Sequence, residues 1–130
     1  MWTHGHFYWN ELMTRDAAAA TKFYEDSLGW AFTQMPMPDG GTYHLVVDAG
    51  EKPVAGIMQM AGPDFEGVPE HWFSYISVDD VDARIKKAVN NGATVMREPF
   101  DVEGIGRICI LQQPNGAMIG WMTPAGSPEG

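Results

Sequence analysis

The chain of 130 residues carries 17 acidic against 8 basic side chains, a net charge of −9, which excludes nucleic acid and anionic lipid as partners because both need a basic surface. Hydrophobic residues make up 45%, enough for one domain with its own core. No apolar run reaches the length of a membrane span, and the opening MWTHGHF lacks the regions of a secretory signal.

The chain reads in order as follows. FYWNELMT, residues 7–14, has the aromatic and mixed apolar-polar character of a strand. Asp16 stands where a helix N-cap belongs, and Ala20, Phe23, Tyr24 and Leu28 follow at helical spacing, with Gly29 as the stop. AFTQMPMP is a strand weakened by its prolines, PDGG (38–41) a turn, TYHLVVD a strand, AGEKP another turn, and VAGIMQM (54–60) a closing strand. The Pro/Gly-rich acidic stretch 61–70 reads as a linker, placed to fold over a pocket mouth.

The order then recurs. HWFSYISV is a strand, and Asp79 or Asp80 caps a helix with an apolar stripe of Val81, Ile85, Ala88 and Val89 that Asn91-Gly92 stops. TVMREPF, RICILQQ and AMIGWMT are strands, the last two joined by the turn PNG (114–116). The tail PAGSPEG is expected to fray. Sliding the chain along itself by about 64 places sets Asp80 on Asp16 and Gly120 on Gly56, and one residue of slippage sets Gly92 on Gly29. A repeat of this length means two copies of one supersecondary unit, β-α-β-β-β, over 5–60 and 71–124. The single cysteine, Cys109, rules out an internal disulfide and suits a reducing cytoplasm. Its place in the apolar run GRICIL points to a buried thiol rather than a nucleophile.

A duplicated βαβββ unit of this size resembles the vicinal oxygen chelate superfamily, which includes glyoxalase I, extradiol dioxygenases and the fosfomycin- and bleomycin-resistance proteins. The likeness is carried by ELMTRDAAAATKFYEDSLGW in the first copy, and by SVDDVDARIKKAVNNGA and QQPNGAMIGWM in the second. It implies an α+β fold: two tandem βαβββ units forming an open, barrel-like curved mixed sheet with helices outside, and a pocket between the repeats. It also implies a homodimer. In metal-dependent members the first and last strands of each copy supply one ligand apiece. Those positions fall here on Trp9, Gly56, Phe73 and Gly120, none of which offers a side-chain donor. The expectation is a metal-free member with no cofactor.

Strand side chains alternate faces, so Trp9 brings Glu11, Phe73 brings His71 and Tyr75, Gly56 brings Met58, and Gly120 brings Met118 and Met122. The ligand-binding set expected from this parity is Trp9, Glu11, Met58, Phe73, Tyr75, Met118 and Met122. Two glycines opposite large aromatics leave room for a small, partly apolar molecule, although small barrels also fill their interiors with such side chains. Glu11 is the candidate catalytic residue. On an apolar face its carboxylate is a tether to backbone or Tyr75, an anchor for a ligand amine, or a general base. His4 and His6 have the opposite parity and lie near an end expected to be disordered, so they are expected to face solvent; His71 is placed to look toward the pocket, and His44 is unassigned. Arg107 and Gln112 are either ligand contacts or surface groups, and Asp16 and Asp79 are helix caps.

Three functions stay open. One is sequestration of a small, partly apolar ligand, which the acidic surface would draw in if it is cationic, by a metal-free, bleomycin-resistance-like protein. Another is a glyoxalase-like lyase or isomerase with Glu11 as base and Tyr75 as donor, and the third is an interaction module with no ligand.

Overall fold

The computed structural model describes residues 2–37, 41–47 and 53–126. The turn residues 38–40 and most of AGEKP, together with the last four residues of the tail, lie outside them. Eleven elements follow in the order expected for two βαβββ copies. The first copy holds β1 (Phe7–Thr14), α1 (Ala17–Leu28), β2 (Ala31–Pro36), β3 (Thr42–Val47) and β4 (Pro53–Gln59). A 3-10 turn (Pro63–Phe65) leads to β5 (His71–Ser77), α2 (Val81–Asn90), β6 (Thr94–Val102), β7 (Gly106–Gln112) and β8 (Met118–Pro124). The fold class is α+β with mixed strands.

Contacts divide the chain into two compact units, residues 9–73 and residues 1–8 with 74 onward, so the division runs through β1 and β5. In the 9–73 unit the strand order is β2-β3-β4-β1. There β1 runs parallel to β4, with Glu11 beside Gly56 and Met13 beside Met58, while β4 and β2 run antiparallel to β3. In the other unit the order is β5-β8-β7-β6, with β5 parallel to β8, Tyr75 beside Gly120 and Ser77 beside Met122. A parallel pair needs a crossover, which each helix supplies.

Both helices start by the same device. The Asp16 carboxylate accepts from Ala19 N at 3.0 Å and the Asp80 carboxylate from Ala83 N at 3.1 Å, satisfying amides that have no partner inside the helix. Asp79, one of the two expected caps, does not cap. Its carboxylate takes both a bidentate Arg84 and Asp80 N instead. The next orphan amide is met from the closing strand: Ala17 N donates to Gln59 Oε1 at 2.8 Å and Val81 N to Thr123 Oγ1 at 3.0 Å. Gln59 and Thr123 stand 64 residues apart, like Asp16 and Asp80.

Each sheet buries one face under its helix. In the 9–73 unit Ala17, Val46, Ala55 and Ile57 form the core, with Leu12, Tyr24, Trp30 and Phe32 packed on it. In the other, Val78, Val81, Ile85, Cys109, Leu111 and Ile119 do so, with Trp121 alongside. The helical stripes are narrower than expected. Phe23 and Leu28 are each 60% exposed and Val89 48%, because Ala17, Ala20 and Tyr24, and then Val81, Ile85 and Ala88, already cover the sheet.

The amino terminus is tied down rather than frayed. Trp2 is buried, Gly5 N donates to Ser77 O at 2.7 Å, and Ser77 N to His6 O at 2.9 Å. His4 does not simply face solvent either, since its Nδ1 accepts from Asp79 N at 3.0 Å. Strand β6 keeps Pro99 because its pairing with β7 shifts register on either side of Arg97, which spares proline a ladder bond.

Candidate functional site

In the 9–73 unit the face turned away from α1 carries Glu11, Gly56, Met58, Tyr43 and Leu45, as the register of β1, β4 and β3 requires. Trp9 joins them, donating from its indole Nε1 to the Tyr43 hydroxyl at 3.0 Å. Parity therefore groups Trp9, Glu11 and Met58 as the sequence suggests. Glu11 is only 8% exposed, so a carboxylate is held in a largely dehydrated place among indole, phenol and thioether.

The expected room above Gly56 is not there. A Cβ at that position would lie 1.7 Å from the Tyr43 hydroxyl oxygen and 2.2 Å from its ring. Gly56 is thus glycine because the Tyr43 ring lies across it, and what fills the position is a phenol rather than ligand space. Tyr43 is the site residue that sequence reasoning passed over. The signal was available: β3 pairs antiparallel with β4, which places Tyr43 beside Met58 on the same face.

Phe73 is buried and meets the His71 ring edge-on at 6.2 Å. His71 Nδ1 donates to Pro69 O at 2.7 Å, so its tautomer is set by backbone. The stretch 61–70 is fastened to the end of β1. Arg15 Nη2 donates to Phe65 O at 2.6 Å and Thr14 Oγ1 to the Glu70 carboxylate.

In the other unit the face turned away from α2 carries Tyr75, Gly120, Met122 and Ile108, with Met118 at the start of β8. Tyr75, Met122 and Ile108 are buried, whereas Met118 is 43% exposed. The polar candidates nearby are committed elsewhere. Arg107 forks onto Asp82 at 2.8 and 3.2 Å and onto Asp101 at 3.1 Å, and Gln112 Nε2 donates to Gly116 O. The Arg107 guanidinium holds the Asp82 carboxyl below the usual range, and Arg84 does the same to Asp79. These are ion pairs of the surface. Cys109 is fully buried, and burial pushes its thiol up to about 11, so it is packing material.

Among the described residues no group of three or more His, Cys, Asp or Glu is placed to hold a metal ion. Glu11 beside Gly56 offers one carboxylate, and Tyr75 beside Gly120 one phenol. A metal ion bound by protein takes three or four such ligands, so these residues do not fit it.

Comparison with known proteins agrees with the fold. The chain is 39% identical over 112 residues to a Mycobacterium tuberculosis protein named "Putative glyoxylase CFP32", covering 86% of this chain and 43% of that protein. It is 32% identical over 120 residues to the anthracycline biosynthesis protein DnrV of Streptomyces peucetius, covering 84% and 43%. The chain thus spans less than half the length of the curated relatives it matches. Among solved structures, the hypothetical protein BH1468 of Bacillus halodurans C-125 superposes with a TM-score of 0.73 at 14% identity, covering 97% of this chain and 99% of that one. A Streptomyces coelicolor methylmalonyl-CoA epimerase variant does so at 0.68 and 17%, covering 97% and 100%. At these identities the likeness is one of fold. The family model described as Glyoxalase/Bleomycin resistance protein/Dioxygenase superfamily matches residues 5–120, and the chain belongs to that superfamily.

Proposed function

We propose that this protein binds a small, partly apolar ligand with a cationic group, without a metal ion, at the face that carries Trp9, Glu11, Tyr43 and Met58. The observation behind this reading is Glu11, a carboxylate 8% exposed on the sheet face that its helix does not cover. Glu11 already has a partner within the protein, and a largely buried carboxylate that shares its face with aromatic and thioether groups can in addition take a cation that brings its own apolar body. On this reading the protein works by stoichiometric capture, as a homodimer in a reducing cytoplasm; Phe73 extends the apolar lining, and Tyr75, Met118 and Met122 carry the corresponding face of the other unit.

The test is a native mass spectrum of protein purified without added metal or chelator. The expected result is a metal-free dimer carrying a small-molecule mass that Glu11→Gln removes. One tightly held divalent ion per chain would overturn the reading.

A second reading is favoured by the 39% identity to a relative named as a glyoxylase. Here Glu11 takes a proton from the carbon beside a carbonyl, and the Tyr43 hydroxyl donates to the enolate oxygen. Solvent-deuterium exchange into a 2-oxoaldehyde hemithioacetal, abolished by Glu11→Gln and Glu11→Ala alike, would favour this chemistry over capture.

A further inference from the structure

The C-terminal end of α2 borders a groove of about 420 Å³ within the unit of residues 1–8 and 74 onward. It lies on the helix side of the sheet. Its floor is core: Leu111 is 1% exposed and Ile119 8%, with Ala88 and the half-buried Trp121 beside them. Apolar groups that a helix turn and a hairpin turn leave partly open are what a small hydrophobic body needs.

The walls are preformed. Gly92 has φ 98°, and a Cβ there would stand 3.3 Å from Pro114 Cγ, so the helix end is seated against the β7–β8 turn. That turn is fastened by Gln113 N to Ala117 O at 2.7 Å and by Asn115 Oδ1, which accepts from Ala117 N at 3.1 Å. A site that needs no ordering on binding keeps more of its contact energy.

The rim decides the ligand's charge. Two cations line the groove, Arg84 and Lys87. Arg84 is already neutralised by the bidentate Asp79, at 2.8 and 2.9 Å. Asn91 spends its side-chain amide on the Lys87 carbonyl at 2.7 Å. The Lys87 ammonium has no anionic partner among the described residues. Its place in the last helical turn complements the helix dipole, but that role leaves the ammonium itself open to a ligand. The chain's net charge of −9 does not cancel it, since charges beyond about 8 Å are largely screened at physiological salt.

We propose that this groove is a second small-molecule site, which takes an organic monocarboxylate: the carboxylate on Lys87 and the apolar body on Trp121, Ala88 and Ile119. The proposal is independent of the Glu11 site, where the favoured ligand has the opposite charge. For a ligand of this size the expected Kd is about 0.1–1 mM.

The test is a titration followed by amide NMR shifts, using 2-naphthoate and the neutral 2-naphthalenemethanol in parallel. Saturable shifts are expected on residues 87–93, 111–117 and 119–121 for both probes. Lys87→Met, a surface change that leaves the fold intact, should weaken naphthoate about 3- to 5-fold and leave the neutral probe unaffected. Ala93→Leu should weaken both by filling the groove, with the dispersed spectrum reporting that the chain is folded. No saturable shift below 5 mM, shifts confined to β1, β3 and β4, or equal loss of both probes in Lys87→Met would each overturn the proposal.

Discussion

The two copies solve the same packing problem with their bulk in different places. Under α1 the inner strands β3 and β4 offer small side chains, Ala55 and Val46 beside Ile57, and the volume comes from Tyr24 of the helix and from Trp30 and Phe32 at the edge strand β2, with Tyr24 and Trp30 stacked at 4.5 Å. Under α2 the sheet itself carries Trp121, Ile119 and Leu111, and the helix answers with Val81, Ile85 and Ala88. Interiors are close-packed, so a small residue on one layer demands a large one on the other. The layer needs a total volume, not a residue at a position.

The faces away from the helices diverge more. Pairing register makes Ile108 the counterpart of Tyr43, since each stands beside the matching methionine, Met122 or Met58. Glu11 and Tyr75 occupy the same register opposite Gly56 and Gly120. The 9–73 copy therefore has carboxylate and phenol where the other has phenol and isoleucine, with a methionine in both. Chemistry is concentrated in one copy, and the other supplies apolar surface.

The sharpest way to break this contrast is through two glycines that are glycine for different reasons. A Cβ on Gly106 would lie 2.4 Å from the Thr123 backbone oxygen, at φ 147°. Backbone held in a ladder cannot step aside, so Gly106→Ala should cost about 2–4 kcal/mol in urea unfolding. At Gly56 the three atoms nearest an added Cβ all belong to the Tyr43 side chain, and Gly56→Ala should cost about 1–3 kcal/mol. In a Tyr43→Ala background the same change should cost under about 0.5 kcal/mol, because the obstructing ring is gone. An undiminished cost in that background would show that Tyr43 is not the reason for Gly56.

The helix starts offer a smaller contrast. Asp16→Ala and Asp80→Ala should each cost about 1 kcal/mol, as cap losses do. Gln59 makes two bonds at the start of α1, accepting from Ala17 N and donating to Arg15 O, whereas Thr123 makes one to Val81 N. Gln59→Ala should therefore exceed Thr123→Ala by about 0.5–1 kcal/mol. Equal costs would mean that only the helix amide matters.

Much of this was readable from the chain. Asp16 and Asp80, the Gly29 stop and strand alternation locate both copies and group Trp9, Glu11 and Met58 correctly. A second slip in the repeat, distinct from the one at Gly29 and Gly92, has a physical home. Partners on β3 and β7 are 65 residues apart and those on β4 and β8 from Ala55 onward 64, because the pairing of β3 with β4 skips Val54. The residues missed were those that act across strands. Tyr43 matters only once β3 is set beside β4 in a given register, and Asp79 lost its cap role to an arginine five residues away. A linear pattern says which face a side chain takes; it does not say which neighbour reaches over it.

The gentlest probe of the comparison is Cys109, whose register counterpart is His44, since they stand beside Trp121 and Ile57. In one copy this place on the helix side is half-buried and polar, and in the other it is sealed. Burial holds the thiol protonated up to about 11, against an ordinary value of 9.0. The thiolate is the reactive form, so alkylation of native protein at pH 8 should be about 100-fold or more slower than of protein in urea. Stability at neutral pH gains nothing from the shift, because the thiol is protonated in both states. Between pH 9 and 11 the unfolded chain releases the proton and the folded one keeps it, so unfolding becomes easier as pH rises. Cys109→Ala should lose that part of the alkaline decline while sharing the part due to lysines and tyrosines. Matching alkaline curves for the two proteins would mean that the copy under α2 is no better sealed at this position than the copy under α1.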